Sequence, residues 1–241
     1  MFKDKKILGL VPARGGSKGI PKKNLYPIMG KPLLQYTFDA VKKSQLITDV
    51  MMSTEDKNIL DYAVRAGIDS RYRRPENLAT DISTTIDVVL HALDWLEEIG
   101  ELPDALVLLQ PTSPLRTEHE IDGAVERFFE KGCESLVSVH KMIEHPYKCM
   151  QVKGEQWQFL AKPEKYVSRR QDYNNDYYAI DGALYVVTPQ WLREKRNFVV
   201  EGETELYEIS AISGMDVDEL ADVFQVEAYL KMLGNGGATL P

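Results

Sequence analysis

The sequence predicts an α/β fold in three layers, with a mostly parallel β-sheet between helices packed on both faces. Two observations carry the prediction. Short uninterrupted apolar runs alternate with segments of helical period along most of the chain, the rhythm of right-handed parallel crossovers. Several of those runs empty into polar loops marked by glycine or proline, which places the loops at the carboxyl edge of the sheet, where open α/β folds bind ligands. The 241 residues are read as one domain over residues 1–234 and a flexible, glycine-rich tail over residues 235–241.

Ile7 to Val11 is apolar without alternation, as expected of a buried parallel strand. Lys31 to Ser44 places Leu34, Phe38 and Val41 at helical spacing, with Pro32 in the first turn, where its missing N–H costs nothing. Asp49 to Ser53 is a second strand, and Asp56 to Ala66 a helix ended by Gly67 in the C′ position. A polar connection from Ser70 to Thr85 precedes a helix whose Ile86, Val89, Leu90, Leu93 and Leu96 form one stripe. Ala105 to Leu109 is the third strand; Thr117 then caps a helix reciprocally with Glu120, turning Ile121, Val125 and Phe128 inward. Leu136 to Val139 is the fourth. From Lys141 to about Ile180 the helical period disappears and aromatic residues are interleaved with charges and prolines, so this stretch is expected to leave the sheet as an excursion. Leu206 to Ile212 is the final strand region, followed by a helix with Val223, Val226, Leu230 and Leu233 on one face.

Hydrophobic residues make up 44% and charged residues 27% of the chain, proportions of an ordinary globular protein. The net charge is −8, so no global basic field exists to grip nucleic acid or an anionic membrane, and an anionic ligand must be met by a local cluster. No run of about 18 apolar residues occurs, and the N-terminus lacks the features of a signal peptide, which makes the cytoplasm the expected compartment. Cys133 and Cys149, and the four scattered histidines, lack metal-ligand spacing, so a protein-built zinc site is not expected.

The local cluster lies between Pro12 and Asn24, PARGGSKGIPKKN. Its glycines let backbone N–H groups approach a ligand, while Arg14, Lys18, Lys22 and Lys23 concentrate positive charge: a polyphosphate cradle in outline. Neither GxxxxGK[ST] nor GxGxxG occurs, which removes the main support for a Walker-type NTPase or a dinucleotide-binding unit. Three further motifs follow in order: RPENLATD at Arg74 to Asp81, QPTSPLR at Gln110 to Arg116, and DVD at Asp216 to Asp218. In an extended segment residues two apart point the same way, so Asp216 and Asp218 present paired carboxylates to one hard cation. The plainer alternative is that Asp218 caps the next helix.

In this order the four motifs resemble those of the sugar-activating cytidylyltransferases, and within them the acylneuraminate (CMP-sialic acid) synthetases. The resemblance runs from Ile7 to Leu233. It implies a Rossmann-like nucleotidyltransferase fold in which residues 141–180 form a β-rich dimerisation arm that also closes the sugar pocket of a homodimer. The implied reaction transfers CMP from CTP to the anomeric hydroxyl of a nonulosonic acid, giving CMP-sugar and pyrophosphate, with Mg²⁺ or alternatively Mn²⁺. CMP-Kdo synthetase and a non-catalytic nucleotide-binding module are the competing readings, and neither nucleic acid nor membrane is an expected partner.

The resemblance assigns Arg14, Lys23 and Asp216 to catalysis. It places Arg14, Gly15, Gly16, Ser17, Lys18, Asn24, Arg74 and Thr85 on CTP, and Asp81 beside the nucleotide. Gln110, Lys141, Arg170 and Asp181 fall to the sugar, and Asp216 and Asp218 to the metal. Arg170, within Ser168-Arg169-Arg170-Gln171, would bind the sugar carboxylate through its planar fork, with Arg169 as the competitor. Arg116 is expected to be structural. Asp181-Gly182-Ala183-Leu184-Tyr185 departs from a pattern usually written NGAIY, with Asp in place of Asn, and this bears on which sugar is used.

Overall fold

The computed structural model describes residues 4–162 and 176–234. Strand β1 (Ile7–Pro12) leads through a long loop to a two-residue ladder, β2 (Pro27–Ile28) and β3 (Lys31–Pro32), and then to α1 (Leu33–Lys43). The chain continues through β4 (Asp49–Ser53), α2 (Lys57–Arg65), α3 (Thr85–Glu98), β5 (Ala105–Leu109), α4 (Glu118–Lys131) and β6 (Ser135–Lys141). A hairpin of β7 (Met150–Lys153) and β8 (Gln156–Phe159) follows, then β9 (Tyr178–Val187), α5 (Pro189–Lys195), β10 (Glu205–Glu208) and α6 (Leu220–Gly234). Six strands form one sheet in the order β10-β6-β9-β5-β1-β4, all parallel except β9, which runs antiparallel to both β5 and β6. The expected three-layer α/β architecture is therefore present.

Burial explains the apolar runs. β1 and β5 lie inside the sheet, and successive side chains feed opposite faces. Ile7, Val11, Val107 and Leu109 pack against α1, α2 and α4 through Phe38, Ile59, Ala63, Val125 and Phe128. Leu8, Leu10, Leu106 and Leu108 pack against α3 and α5 through Val89, Leu93, Leu96, Trp191 and Leu192. A smaller cluster joins Ile20, Leu33, Leu115 and Val217 to Val223 and Val226 of α6. The third cluster fastens the last helix to the loop after β1.

Several boundaries differ from expectation for local reasons. Met29 and Gly30 both take positive φ, so Lys31 and Pro32 fold back as a strand, and the helix begins only at Leu33, whose N–H donates to Tyr26 O at 2.9 Å. Asp56 caps α2 rather than joining it, accepting from the N–H groups of Asn58 and Ile59. The final strand is Glu205–Glu208, and the chain turns away after Ile209. The expected excursion is shorter than 141–180, because β6 runs to Lys141 and β9 begins at Tyr178; its described part is the β7–β8 hairpin. No described helix is long and apolar enough to cross a membrane. The tail over residues 235–241, and Arg169 and Arg170, lie outside the described residues.

The connections set the site. β1 passes outward to β4 through α1, while β4 returns past β1 to β5, so the loops after β1 and β5 part at a switch point and leave a crevice between them. The loop after β5 is fastened by Arg116, which is 3% exposed and donates to the carbonyls of Gln110 and Ala183 and to Thr37 Oγ1. Burial pushes its guanidinium down to about 10, opposed by the charges of Glu120 and Asp181. Arg116 is structural, as expected. The Thr117–Glu120 capping box is also formed. Thr117→Ala should cost about 1 kcal/mol, read as a lower urea midpoint with unchanged m-value.

Candidate active site

A cleft of about 370 Å³ opens over the carboxyl ends of β1 and β5. Its floor and one wall come from the loop after β1 through Arg14, Gly16, Ser17, Lys18, Lys23 and Asn24. The facing wall comes from the segment before α3 (Arg74, Leu78, Thr80, Asp81, Ser83 and Thr85), and Gln110, Pro111, Thr112 and Asp218 close the end. All four sequence motifs thus meet in one cavity, although the outermost residues are about 200 positions apart in the chain.

The cations are held by named partners. Lys23 donates to Val217 O and to Asp218 Oδ1, both at 2.8 Å. Its nitrogen is anchored by the turn Lys23–Leu25, entered through Lys22 at φ 53°. Arg14 and Lys18 meet the Asp81 carboxylate at 2.8 and 3.1 Å, and this pairing, Lys18 first, holds the Asp81 carboxyl below its ordinary value. An incoming triphosphate competes with Asp81 for both cations. Arg74 is 7% exposed and donates to Ser53 O at 2.6 Å and to Ser53 Oγ. Burial pushes its guanidinium down, and the Glu55 carboxylate opposes this. Arg74 therefore contributes positive potential from inside the cleft wall.

Glycine is required where the loop touches its supports. The Gly15 N–H donates to Glu55 Oε1 at 2.7 Å, and a Cβ at Gly15 would meet the Asp56 carboxylate at 2.5 Å. This N–H is engaged by the Glu55 carboxylate, and Gly15 is not among the cleft-lining residues. At Gly19 a Cβ would run into the Asp218 carbonyl oxygen. Asn24 is buried, and its amide donates to Arg14 O at 2.9 Å, so it shapes the loop while also lining the cleft.

Asp216 and Asp218 flank Val217, which is fully buried and whose N–H donates to Thr112 O at 2.8 Å. The buried valine turns both carboxylates the same way, as the alternation predicts. The helix-capping alternative for Asp218 is not what forms, because Asp222 accepts from the N–H groups of Asp218 and Glu219 and leaves the Asp218 side chain for Lys23. Desolvation pushes the Asp216 carboxyl up, the Thr112 side chain opposes it, and the neighbouring Asp218 charge reinforces it. Asp218 is held below its ordinary value, first by Lys23. Two carboxylates side by side, one strained toward protonation, are a donor set that suits a hard divalent cation completed by phosphate oxygens and water. Among the described residues no cluster of three or more acidic, His or Cys ligands occurs.

The remaining candidates are not gathered on the cleft wall. Lys141 is exposed and ion-paired with Asp176 at 2.5 Å. Asp181 is fully enclosed beneath the sheet edge rather than lining the cleft. Thr112, Thr80, Ser83 and Glu55 were not singled out from the sequence; Thr112 could have been, since it lies two residues after Gln110 in the same loop.

A family model described as cytidylyltransferase matches residues 8–179. The chain belongs to the cytidylyltransferase family. Over 228 residues it is 33% identical to CMP-N,N'-diacetyllegionaminic acid synthase of Legionella pneumophila, covering 94% of this chain and 97% of that protein. It is 28% identical to pseudaminic acid cytidylyltransferase of Campylobacter jejuni, covering 90% and 93%. Its fold is similar to that of a CMP:2-keto-3-deoxy-manno-octonic acid synthetase solved with CTP, with TM-score 0.72, 17% identity and 95% and 99% coverage. This cytidylyltransferase is thus a nucleotidyltransferase by family, and Arg14, Lys18, Lys23, Arg74, Gln110 and Asp218 share its cleft.

The raised Asp216 carboxyl has a consequence for stability. A carboxyl whose pKa is higher folded than unfolded costs stability as pH rises through that window, because the unfolded state gives up its proton first. With divalent metal chelated, Asp216→Asn should melt higher than wild type at pH 7, and the difference should shrink toward pH 4. A calorimetric pH series checks this. Gly19→Ala should weaken CTP binding at least tenfold by isothermal titration, with an unchanged circular dichroism spectrum, because the loop must withdraw from Asp218.

Proposed function

We propose that this cytidylyltransferase transfers CMP from CTP to the anomeric hydroxyl of a nonulosonic acid, releasing pyrophosphate. The observation that carries the reading is a cleft at the switch point that Arg14, Lys18, Lys23 and Asp218 line together, with Asp216 two residues from Asp218. In-line attack on the α-phosphorus needs the triphosphate charge neutralised and pyrophosphate stabilised as it leaves. Arg14 and Lys18, released from Asp81, take phosphate oxygens, with Ser17 and the Gly16 backbone beside them. Lys23, held by Val217 O, stays fixed at the acidic end. Arg74 adds positive potential from within the wall, and Thr85 and Val88 offer a surface for the base.

Asp216 and Asp218 would hold a Mg²⁺ or Mn²⁺, which supplies Lewis-acid stabilisation of the phosphates and lowers the pKa of a coordinated hydroxyl. Gln110, in the cleft, and Lys141, at the carboxyl end of β6, are read as acceptor residues, and Arg170 is assigned to the sugar carboxylate from sequence alone. The likeness to a synthase named for N,N'-diacetyllegionaminic acid supports that sugar as the first acceptor to assay. The assembly is read as a homodimer. Exposed Met150, Val152, Trp157 and Leu160 on the β7–β8 hairpin form an apolar surface fit for a second copy. Residence in the cytoplasm, with CTP at hand, completes the reading.

Pyrophosphate release measured with Mg²⁺, CTP and N,N'-diacetyllegionaminate, N-acetylneuraminate or Kdo tests the reaction. Product should require CTP, a metal and one nine-carbon acid; UTP and chelator should give none, and turnover with Kdo alone would reassign the acceptor. Lys23→Met should lower kcat/KM by at least 10²-fold. Val152→Glu with Trp157→Glu should convert the dimer to monomer in sedimentation velocity; a monomeric wild type refutes the assembly.

A further inference from the structure

The residues at the end of β4 hold both arginines of the cleft, although none of them lines the cavity. Ser53 O accepts from the Ala13 N–H at 3.0 Å and from the Arg74 guanidinium at 2.6 Å, and Thr54 O accepts from the Arg74 N–H at 3.2 Å. Glu55 Oε1 accepts from the Gly15 N–H at 2.7 Å. On the other side of the same peptide group, the Arg14 carbonyl accepts from the Asn24 amide at 2.9 Å. Both polar atoms of the Arg14–Gly15 peptide are therefore engaged, and the chain just before Arg14 is tied to the sheet through Ala13.

The need for this tie follows from residue 15. A Cβ there would lie 2.8 Å from the Asp56 Cβ and 2.5 Å from its Oδ2, and Asp56 cannot yield without leaving its cap on Asn58 and Ile59. Gly15 does not take positive φ, so this contact rather than turn geometry demands glycine. Glycine supplies no stiffness of its own and leaves the chain free to rotate on either side of it. Packing alone gives no reason for a carboxylate beside it, since Glu55 Oε2 is buried without a hydrogen-bond partner and such an atom costs stability. We propose that Glu55 is a positioning residue for Arg14: by holding the Gly15 N–H it supplies the stiffness that glycine lacks, so that the Arg14 guanidinium reaches the triphosphate from a fixed origin. This rests on the reading of Arg14 as a phosphate-binding group.

Hydrogen exchange at the Gly15 amide reads the tie directly. In wild type and in Glu55→Gln, whose amide oxygen still accepts, Gly15 should exchange at least tenfold slower than in Glu55→Met, which fills the space with only a weak acceptor. Isothermal titration with CTP and Mg²⁺ reads the consequence for the site and needs no acceptor sugar. Glu55→Met should weaken CTP binding at least tenfold and Glu55→Gln less than threefold, whereas in an Arg14→Met background Glu55→Met should add less than twofold. Equal losses in the two backgrounds would make Glu55 purely structural and overturn the proposal, and so would a Gly15 amide that exchanges equally fast in wild type and Glu55→Met. Should Glu55→Met fail to fold, Glu55→Asp, one methylene shorter, takes its place in both measurements. Arg14→Met that binds CTP as wild type does would sink the phosphate reading of Arg14 and the purpose of the tie with it, an outcome told apart by Gly15 remaining protected.

Discussion

The hydrogen bond from the Val217 N–H to Thr112 O is the constraint on which the site depends. It ties the loop after β5 to a segment about a hundred residues later, and the burial of Val217 against Ile20 and Leu33 adds the loop after β1 to the same knot. Lys23 then closes the joint by donating to Val217 O and to Asp218. The three pieces that line the cleft are thereby fixed to one another by one backbone hydrogen bond, one buried side chain and one lysine. The side chains that do chemistry project from this joint at positions the backbone has already set.

The cleft is also a balance of charges before any ligand enters. Arg14 and Lys18 share Asp81, Lys23 holds Asp218, and Arg74 answers Glu55. Affinity for a triphosphate is then the difference between its phosphate contacts and these internal pairs. The pairs differ in what they concede. Asp81 is exposed, and water screens surface ion pairs, so its cations are released cheaply. Arg74 is buried in the wall and held by the Ser53 carbonyl and hydroxyl, so it remains as scaffold.

Much of this was legible in the chain because the local signals agreed with the fold. The strand limits Asp49 to Ser53 and Ala105 to Leu109, the capping box at Thr117 and Glu120, and the carboxylate pair around Val217 all follow from period, propensity and side-chain size. The insertion of β9 antiparallel between β5 and β6 was not legible. A strand's neighbours are chosen by tertiary packing, and the register slip between Val137 and Val139 opposite Gly182 appears only once β6 and β9 are paired. Gly15 was only half legible for a related reason: glycine signals that backbone comes close to something, and in the fold its near neighbours are Asp56 and Glu55. Thr112 was hidden because its carbonyl and hydroxyl act on Val217 and Asp216, partners that only the fold brings near.

Asp216 shows why such a site cannot be optimised for the folded state alone. Its carboxyl is desolvated and stands beside Asp218, and both effects favour the neutral form. A more stable protein would replace it with an amide or move the carboxylates apart. Thr112 and Lys23 oppose those effects without cancelling them. The folded chain therefore carries a local instability at Asp216, and any ligand that favours the ionised carboxylate there would add its binding free energy to folding stability.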